Sequence, residues 1–322
     1  MTEFIFKLAF VRKYLLLFSF LLGILFSCKK KENPNPNPIP KDTEFFVASF
    51  HIDSLEFSHE FDSAQVIGEV DYMLEASGLI NSHYNSNFIW SHNDGGNENS
   101  LFLMDANSAD LKAEYTIEGA SNLDWEDIAV YFDNGFSYIY VGDVGDNIGF
   151  RSNYSLYAFE EPIYSEHSSE FTINPRKIDF DYPDGPNNCE AIMVDPLSGD
   201  LILATKGGSK TELFLAQEMQ LNSAIGQITL EKIGELPLKN VTAGDISTDG
   251  KWIGLRTYNQ IVFWTREEGE SLSEAFMKTP KKLPYNGLEP QGEAFCWIED
   301  GYFTLSEKIA GLTPKLYFYS KK

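Results

Sequence analysis

Residues 125–132 read WEDIAVYF, and residues 138–147 read YIYVGDVGDN. Two acids stand directly ahead of an apolar run, and a second apolar run ends in Gly and Asp. The same shape returns along the chain. ASGLINS (76–82), CEAIMVDP (189–196), GDISTDG (244–250) and GEAFCWIED (292–300) each begin small or acidic, turn apolar and close in a turn. Each leads to a second run: NFIWSHND (87–94), LILATKGG (201–208), WIGLRTYN (252–259) and YFTLSEK (302–308). A third run completes every unit: SLFLMD (100–105), YSLYAFEE (154–161), ELFLAQE (212–218), IVFWTRE (261–267) and KLYFYSK (315–321). Four units continue into a weaker fourth run, such as EYTIEG (114–119) and KIDFDYP (177–183). The starts lie about 50 residues apart. That period with four strands per unit is the signature of an all-β fold, the β-propeller.

Five such units predict five blades. The last has only three strands before Lys322, so a strand from the other end of the chain is expected to close it and remove an exposed edge. FFVASFHI (45–52) and AQVIGEV (64–70) are the two candidates. Six blades is the alternative, if residues 45–74 form a blade of their own. Beyond residue 28 no stretch shows a sustained helical period, and Ser271–Met277 is the one mild helix candidate.

The N-terminus reads differently. Lys7, Arg12 and Lys13 precede the thirteen-residue apolar run Tyr14–Phe26. That length suits the core of a signal peptide and falls short of the about 20 residues needed to span a bilayer. Leu25-Phe26-Ser27-Cys28 resembles the bacterial lipobox. This resemblance implies cleavage after residue 27 and lipidation of Cys28. The polar, Pro-rich KKKENPNPNPIPK that follows reads as an extended tether. The expected organisation is a signal peptide (1–27), a lipidated Cys with tether (28–44) and a propeller (45–322). The implied location is the envelope of a Gram-negative cell, on its outer membrane, with Cys28 as the membrane contact and the protein a monomer.

The whole chain carries a formal charge of −23. Removing residues 1–27 takes away three basic residues and one acid, which brings it to −25. So acidic a surface excludes nucleic acid and anionic headgroups as partners and is compatible with cations. Cys189 and Cys296 each open a strand of a different repeat and are expected as buried free thiols.

In a propeller the first strand of each blade lines the axis, and its start shares a face with the end of the second strand. Aligning the units on their apolar residues gives a first column of Ser77, Glu126, Glu190, Gly244 and Glu293. Glu75 lies two residues before Ser77 on the same side, and Asp245 stands beside Gly244. Asp127 follows Glu126 and alternates to the other face, where it is expected to cap a turn or bond a neighbouring blade. The second column is Asn93, Asp143, Lys206, Thr257 and Glu307, flanked by His92, Asp94, Arg256, Tyr258, Ser306 and Lys308. Carboxylates recurring at one position crowd like charges, which raises their pKa values unless a cation, a basic residue or water compensates. Units 1 and 2 bring carboxylates and amides without Lys or Arg, a donor set that suits a hard cation such as Ca2+. GDVGDN has the composition of a tight oxygen-ligand loop. The whole chain has five His, without the close pairs or Cys–His spacings of a zinc site.

SHNDGGN, DWEDIAV, VGDVGDN and QGEAF together resemble a group of exported bacterial propeller proteins, many of them lipoproteins, without assigned activity. More distantly, Glu at an axis-lining strand start looks like the calcium-dependent propeller hydrolases of the gluconolactonase and paraoxonase type and the esterase-like phytase domains. That resemblance implies a central Ca2+, with Glu126, Glu190, Glu293, Asn93 and Asp143 in ligand places. Those families usually have six blades, a departure in this chain.

Two functions follow as expectations. One is a Ca2+-dependent hydrolase of a lactone, ester or phosphoester, with His92 or a carboxylate as base and Arg256 or Lys206 holding an anionic group. The other is a non-catalytic propeller that presents a small-molecule, glycan or protein ligand site, with Tyr258, Phe150, Asp245, Glu307 and Lys308 on the same face. A glycosidase using two of the carboxylates is a third possibility that no motif selects.

Overall fold

The computed structural model describes residues 44–168, 171–223, 226–287, 289, 291–309 and 311–322. The expected signal peptide, Cys28 and all but the last residue of the expected tether lie outside the described residues.

Two short N-terminal strands, β1 (Phe46–Val47) and β2 (Gln65–Glu69), precede the repeats. Blade 1 is β3 (Ala76–Asn81), β4 (Phe88–Asn93), β5 (Ser100–Asp105) and β6 (Leu111–Ile117). Blade 2 is β7 (Trp125–Asp133), β8 (Phe136–Asp143), β9 (Tyr154–Glu160) and, after the short β10 (Thr172–Ile173), β11 (Arg176–Asp181). Blade 3 is β12 (Cys189–Val194), β13 (Leu201–Thr205), β14 (Thr211–Ala216) and, after helix α1 (Glu218–Ser223) and β15 (Ile228–Thr229), β16 (Glu231–Leu236). Blade 4 is β17 (Val241–Ile246), β18 (Trp252–Thr257), β19 (Gln260–Thr265) and, after helix α2 (Leu272–Phe276), β20 (Lys281–Lys282). Blade 5 is β21 (Gly292–Ile298), β22 (Gly301–Ser306) and β23 (Lys315–Ser320), and β2 is its fourth strand.

The protein is therefore a five-bladed β-propeller, closed by AQVIGEV. β2 runs antiparallel to β23, with Val66 opposite Tyr317. The other candidate, FFVASFHI, has a different place: β1 adds in parallel to the outer edge of blade 3. Between them, Phe57 bridges to Lys282 on blade 4 and Phe61 to Lys321 on blade 5. Residues 46–69 thus strap three successive outer edges. Blades 1 and 2 are widened the same way, by β10 on β6 and β15 on β11.

Burial explains the pattern of the runs. The first strands are buried on both faces, so β12 is buried at every residue and reads as a continuous apolar run. The fourth strands have one wet face, and β6 alternates accordingly. Five separate apolar clusters fill the five clefts between neighbouring blades. Trp125, fully buried, anchors the cleft between blades 1 and 2 and donates its indole N–H to the Ser121 carbonyl. Cys189 and Cys296 are buried free thiols, as expected.

Helix α2 occupies the predicted segment. Ser271 and Glu274 cap its start reciprocally. Helix α1 was not expected; at six residues it is too short to show a period.

Candidate functional site

Every first strand begins with a register shift. The last regular pairs with the second strand are Ala76–Asn93, Trp125–Asp143, Cys189–Thr205, Val241–Thr257 and Gly292–Ser306. Near each, one extra residue bulges out of the ladder. The residues that follow these pairs are Ser77, Glu126, Glu190, Thr242 and Glu293. Gly244 therefore does not belong to the column, and Thr242 takes its place. The sequence alignment slipped by two because blade 4 has no carboxylate there to mark the position. The column is three glutamates and two hydroxyls. The hydroxyls tie blades: Ser77 donates to the Glu126 carbonyl and Thr242 to the Gly292 carbonyl, the latter at 2.7 Å.

The second column also divides. Asn93, Asp143, Thr205, Thr257 and Ser306 end the paired strands. One residue further stand Asp94, Val144, Lys206, Tyr258 and Glu307, in corresponding places at the mouth. Lys206 and Glu307 belong to this outer set.

Three carboxylates meet at the mouth. Ligand oxygens of Asp94, Asp124 and Glu126 lie within 4.8 Å of one another. Glu126 is 3% exposed, and its carboxyl is within hydrogen-bonding reach of the Glu190 carboxyl across the boundary between blades 2 and 3. Glu190 is held on its other side by Lys206 at 2.9 Å and Asn188 at 2.8 Å. Lys206 also lies 4.8 Å from the centre of the Tyr258 ring. Gln291 links Glu293 at 2.9 Å to Glu307 at 2.6 Å. Glycines make the close approach of Asp124 and Glu126 feasible. A Cβ on Gly95 would lie 2.6 Å from an Asp124 oxygen, and one on Gly145 would lie 2.2 Å from a Glu126 oxygen.

Burial, then mutual repulsion, dominates the electrostatics. Glu126 is pushed well above the usual carboxylate range by burial, then by Glu190 and Asp94. Asp94 is raised to about 7 by burial, with Glu190, Asp124 and Glu307 adding to it. Glu293 is raised to about 8, mainly by burial; Lys206 opposes and Glu307 reinforces the shift. Asp124 and Glu307 are also raised by burial. A cluster of this kind holds either protons or a cation.

No family model and no curated protein matches the chain. Among solved structures, a chain of a nidogen/laminin complex aligns at 12% identity over 72% of each chain, with a TM-score of 0.41. So loose a likeness bears on neither function nor site. The site rests on its own geometry.

The structure brings together Glu126, Glu190, Lys206, Tyr258, Glu293 and Glu307 from the sequence-derived set. It adds Asp124, which sequence reading passed over, and Asp94, which stood there only as a flanking residue. The signal for Asp124 was the dyad period: it lies two residues before Glu126.

Other expected site residues lie elsewhere. Asn93 accepts the backbone N–H groups of Leu74 and Glu75 with its side-chain oxygen, both at 3.1 Å. Asp143 pairs with Arg151 at 2.9 Å and accepts the Asp124 N–H. Both are committed to backbone or ion-pair contacts and neither joins the carboxylate trio. Within GDVGDN, Asp146 accepts the N–H groups of Phe150 and Arg151, so this loop organises itself and clears room through Gly145.

The candidate base His92 is fully buried, edge-on to Trp125 at 5.7 Å, with its Nδ1 on the Asn93 carbonyl. Burial lowers its pKa to about 4. Arg256 is equally buried and is bound to Glu289 at 2.6 Å and to the Ala294 carbonyl at 2.6 Å. Neither reaches the mouth, so the roles of base and anion holder are withdrawn from them. Asp245 also leaves the mouth: it lies further along the axis and accepts the N–H of Trp297 in blade 5 at 2.7 Å. Asp127 does likewise from blade 2, accepting Ile192 N–H of blade 3 at 2.9 Å and Gly244 N–H of blade 4 at 3.3 Å. Below the carboxylate mouth these two acids cross-link blades 2 to 5 by backbone contacts. Lys308 is exposed, as is Phe150 at 71%.

Proposed function

We propose that the mouth of the propeller binds a divalent cation, with Asp94, Asp124 and Glu126 as ligands and Glu190 beside them. One observation carries this reading: the buried Glu126 carboxyl faces another carboxyl, Glu190, and two more acids stand within ligand distance. Ca2+ fits best. It takes all-oxygen sites built from carboxylates in flexible geometry, and the three acids here supply oxygen ligands alone.

Binding of a ligand through the cation is favoured over catalysis of its own. Lys206 is taken by Glu190 and Arg151 by Asp143. His92 and Arg256 are enclosed between blades. A cation open on its solvent side would present coordination positions to an oxygen-bearing ligand, and hydrolysis of an ester or lactone by a metal-bound water is the second use of the same site. Calorimetric titration with Ca2+, paired with melting curves in Ca2+ and in chelator, is the deciding experiment. Absence of both heat and stabilisation would overturn the reading.

The signal-like N-terminus and the lipobox-like Cys28 support a lipoprotein of the Gram-negative cell envelope, anchored at the outer membrane. Incorporation of labelled palmitate that is lost in Cys28→Ser tests this part.

A further inference from the structure

A concave feature sits at the end of blade 2 opposite the carboxylate mouth. Strand register lays two rows of side chains across the sheet there. Tyr131 pairs with Tyr138, and Tyr138 with Glu160. In the next row on that face, Tyr140 pairs with Ala158, and Ala158 with Arg176. Tyr138 and Tyr140 are two residues apart on one strand and so share a face. Helix α1 brings Glu218 against the rows from blade 3. Together with Asp133 and Phe136 these residues enclose a cleft of about 600 Å³. That lies within the range of small-molecule sites. Glu126 and Tyr131 are five residues apart on β7, about 16 Å of extended strand, so this cleft is separate from the carboxylate mouth.

The tyrosine hydroxyls are the telling feature. The ring of Tyr140 is buried, at 4% exposure, while its hydroxyl stays open to the cleft that the residue lines and has no hydrogen-bond partner among the described residues. A phenol open to a cleft without a protein partner is free to bond water or a ligand there. The hydroxyls of Tyr131 and Tyr138 are unpaired among the described residues as well. Phe136 and Tyr138 are 52% and 39% exposed, so apolar ring surface is offered beside these polar groups.

We propose that this cleft binds a neutral oligosaccharide. A pyranose ring has apolar C–H faces and a girdle of hydroxyls that donate and accept. Tyrosine meets both needs, because its ring is apolar and its hydroxyl donates or accepts. Arg176, Glu160 and Glu218 complete the polar edge. Three acids (Asp133, Glu160, Glu218) against one Arg176 disfavour an anionic sugar. The presence of Arg176 beside Tyr140 disfavours a quaternary ammonium, which the rings alone would accept.

The test is calorimetry of the full chain in chelator, which leaves the carboxylate mouth empty of metal. The probes are maltotriose, cellotriose, mannotriose and chitotriose, with sialyllactose and tetramethylammonium as contrasts. At least one neutral trisaccharide is expected to bind. Tyr138→Ala should weaken it at least about tenfold without lowering the melting temperature, and Glu218→Gln should weaken it too. Three results would overturn the proposal: no neutral trisaccharide binds at millimolar concentration, binding survives both substitutions, or a contrast ligand binds more tightly than every neutral sugar.

Discussion

A Cβ added to Gly145 would stand 2.2 Å from Oε1 of Glu126. Gly145 is absent from the positive-φ positions of the chain, so its backbone does not demand glycine. Space demands it. Gly145→Ala should therefore push the Glu126 and Asp124 carboxylates apart and weaken Ca2+ binding at least about tenfold, while the protein still folds. Titration calorimetry reads the change. An unaltered affinity would place the cation somewhere else.

Substituting a proposed ligand should have two effects of opposite sign. At a Ca2+ concentration one hundred times Kd, binding should stabilise the wild type by about 2.7 kcal/mol. Glu126→Gln should abolish that gain. In chelator the same variant should melt higher than the wild type, because it takes one charge out of a crowded set. Asp124→Asn should behave in the same way. A variant that loses stability in chelator and keeps its Ca2+ response would contradict the assignment.

The raised carboxyls fix the direction of a pH dependence. Asp94 and Asp245 are raised to about 7 and Glu293 to about 8. A group raised on folding contributes stability that is full below its unfolded pKa and disappears as pH climbs through its folded value. In chelator their contribution to the melting temperature should therefore fall as pH rises from about 4 and level off once pH has passed 7 to 8. Acids lowered on folding, such as Asp105 and Asp146, lose their contribution only as pH drops into the acid range. Ca2+ should flatten the part of the fall due to the mouth, and Asp245→Asn should remove a part that Ca2+ leaves untouched.

Asp127 holds three backbone N–H groups, those of Ile128, Ile192 and Gly244. Asp127→Ala leaves them buried without acceptors. Each such loss costs about 1–3 kcal/mol, so a drop of at least about 2 kcal/mol in chemical unfolding is expected. A near-neutral result would mean that water reaches the axis at this depth.

Closure rests on β2. A chain that starts at Asp71 lacks that strand and leaves the β23 edge open. It should lose its cooperative melt and elute as aggregate in size-exclusion chromatography. A monomer with an unchanged melt would show that the fifth blade closes without β2.

Much of this was legible in the sequence. A repeat of about 50 residues recurs because each blade must bury both faces of its first strands between neighbours, and that need writes apolar runs such as CEAIMV at regular intervals. The glutamate column was legible wherever a Glu marked it, at Glu126, Glu190 and Glu293. It failed in blade 4, where Thr242 bears no charge. The functional direction of His92 and Arg256 was not legible. Strand alternation gives the face of a residue only while pairing is regular, and a bulge interrupts every first strand at this point. Asp124 precedes its strand by one residue, so its only signal was the dyad period counted back from Glu126. Helix α1, which walls the tyrosine cleft, is too short to announce itself.

The N-terminal strap has a mechanical meaning. Phe46 is anchored on blade 3, Phe57 on blade 4, Phe61 on blade 5, and β2 lies beyond all three. A pull from the N-terminal side would load these anchors in series, blade by blade, before any strain reached the closing strand. The strap acts as a hoop with graded fasteners, so that a chain under tension yields at its edges while the ring stays shut.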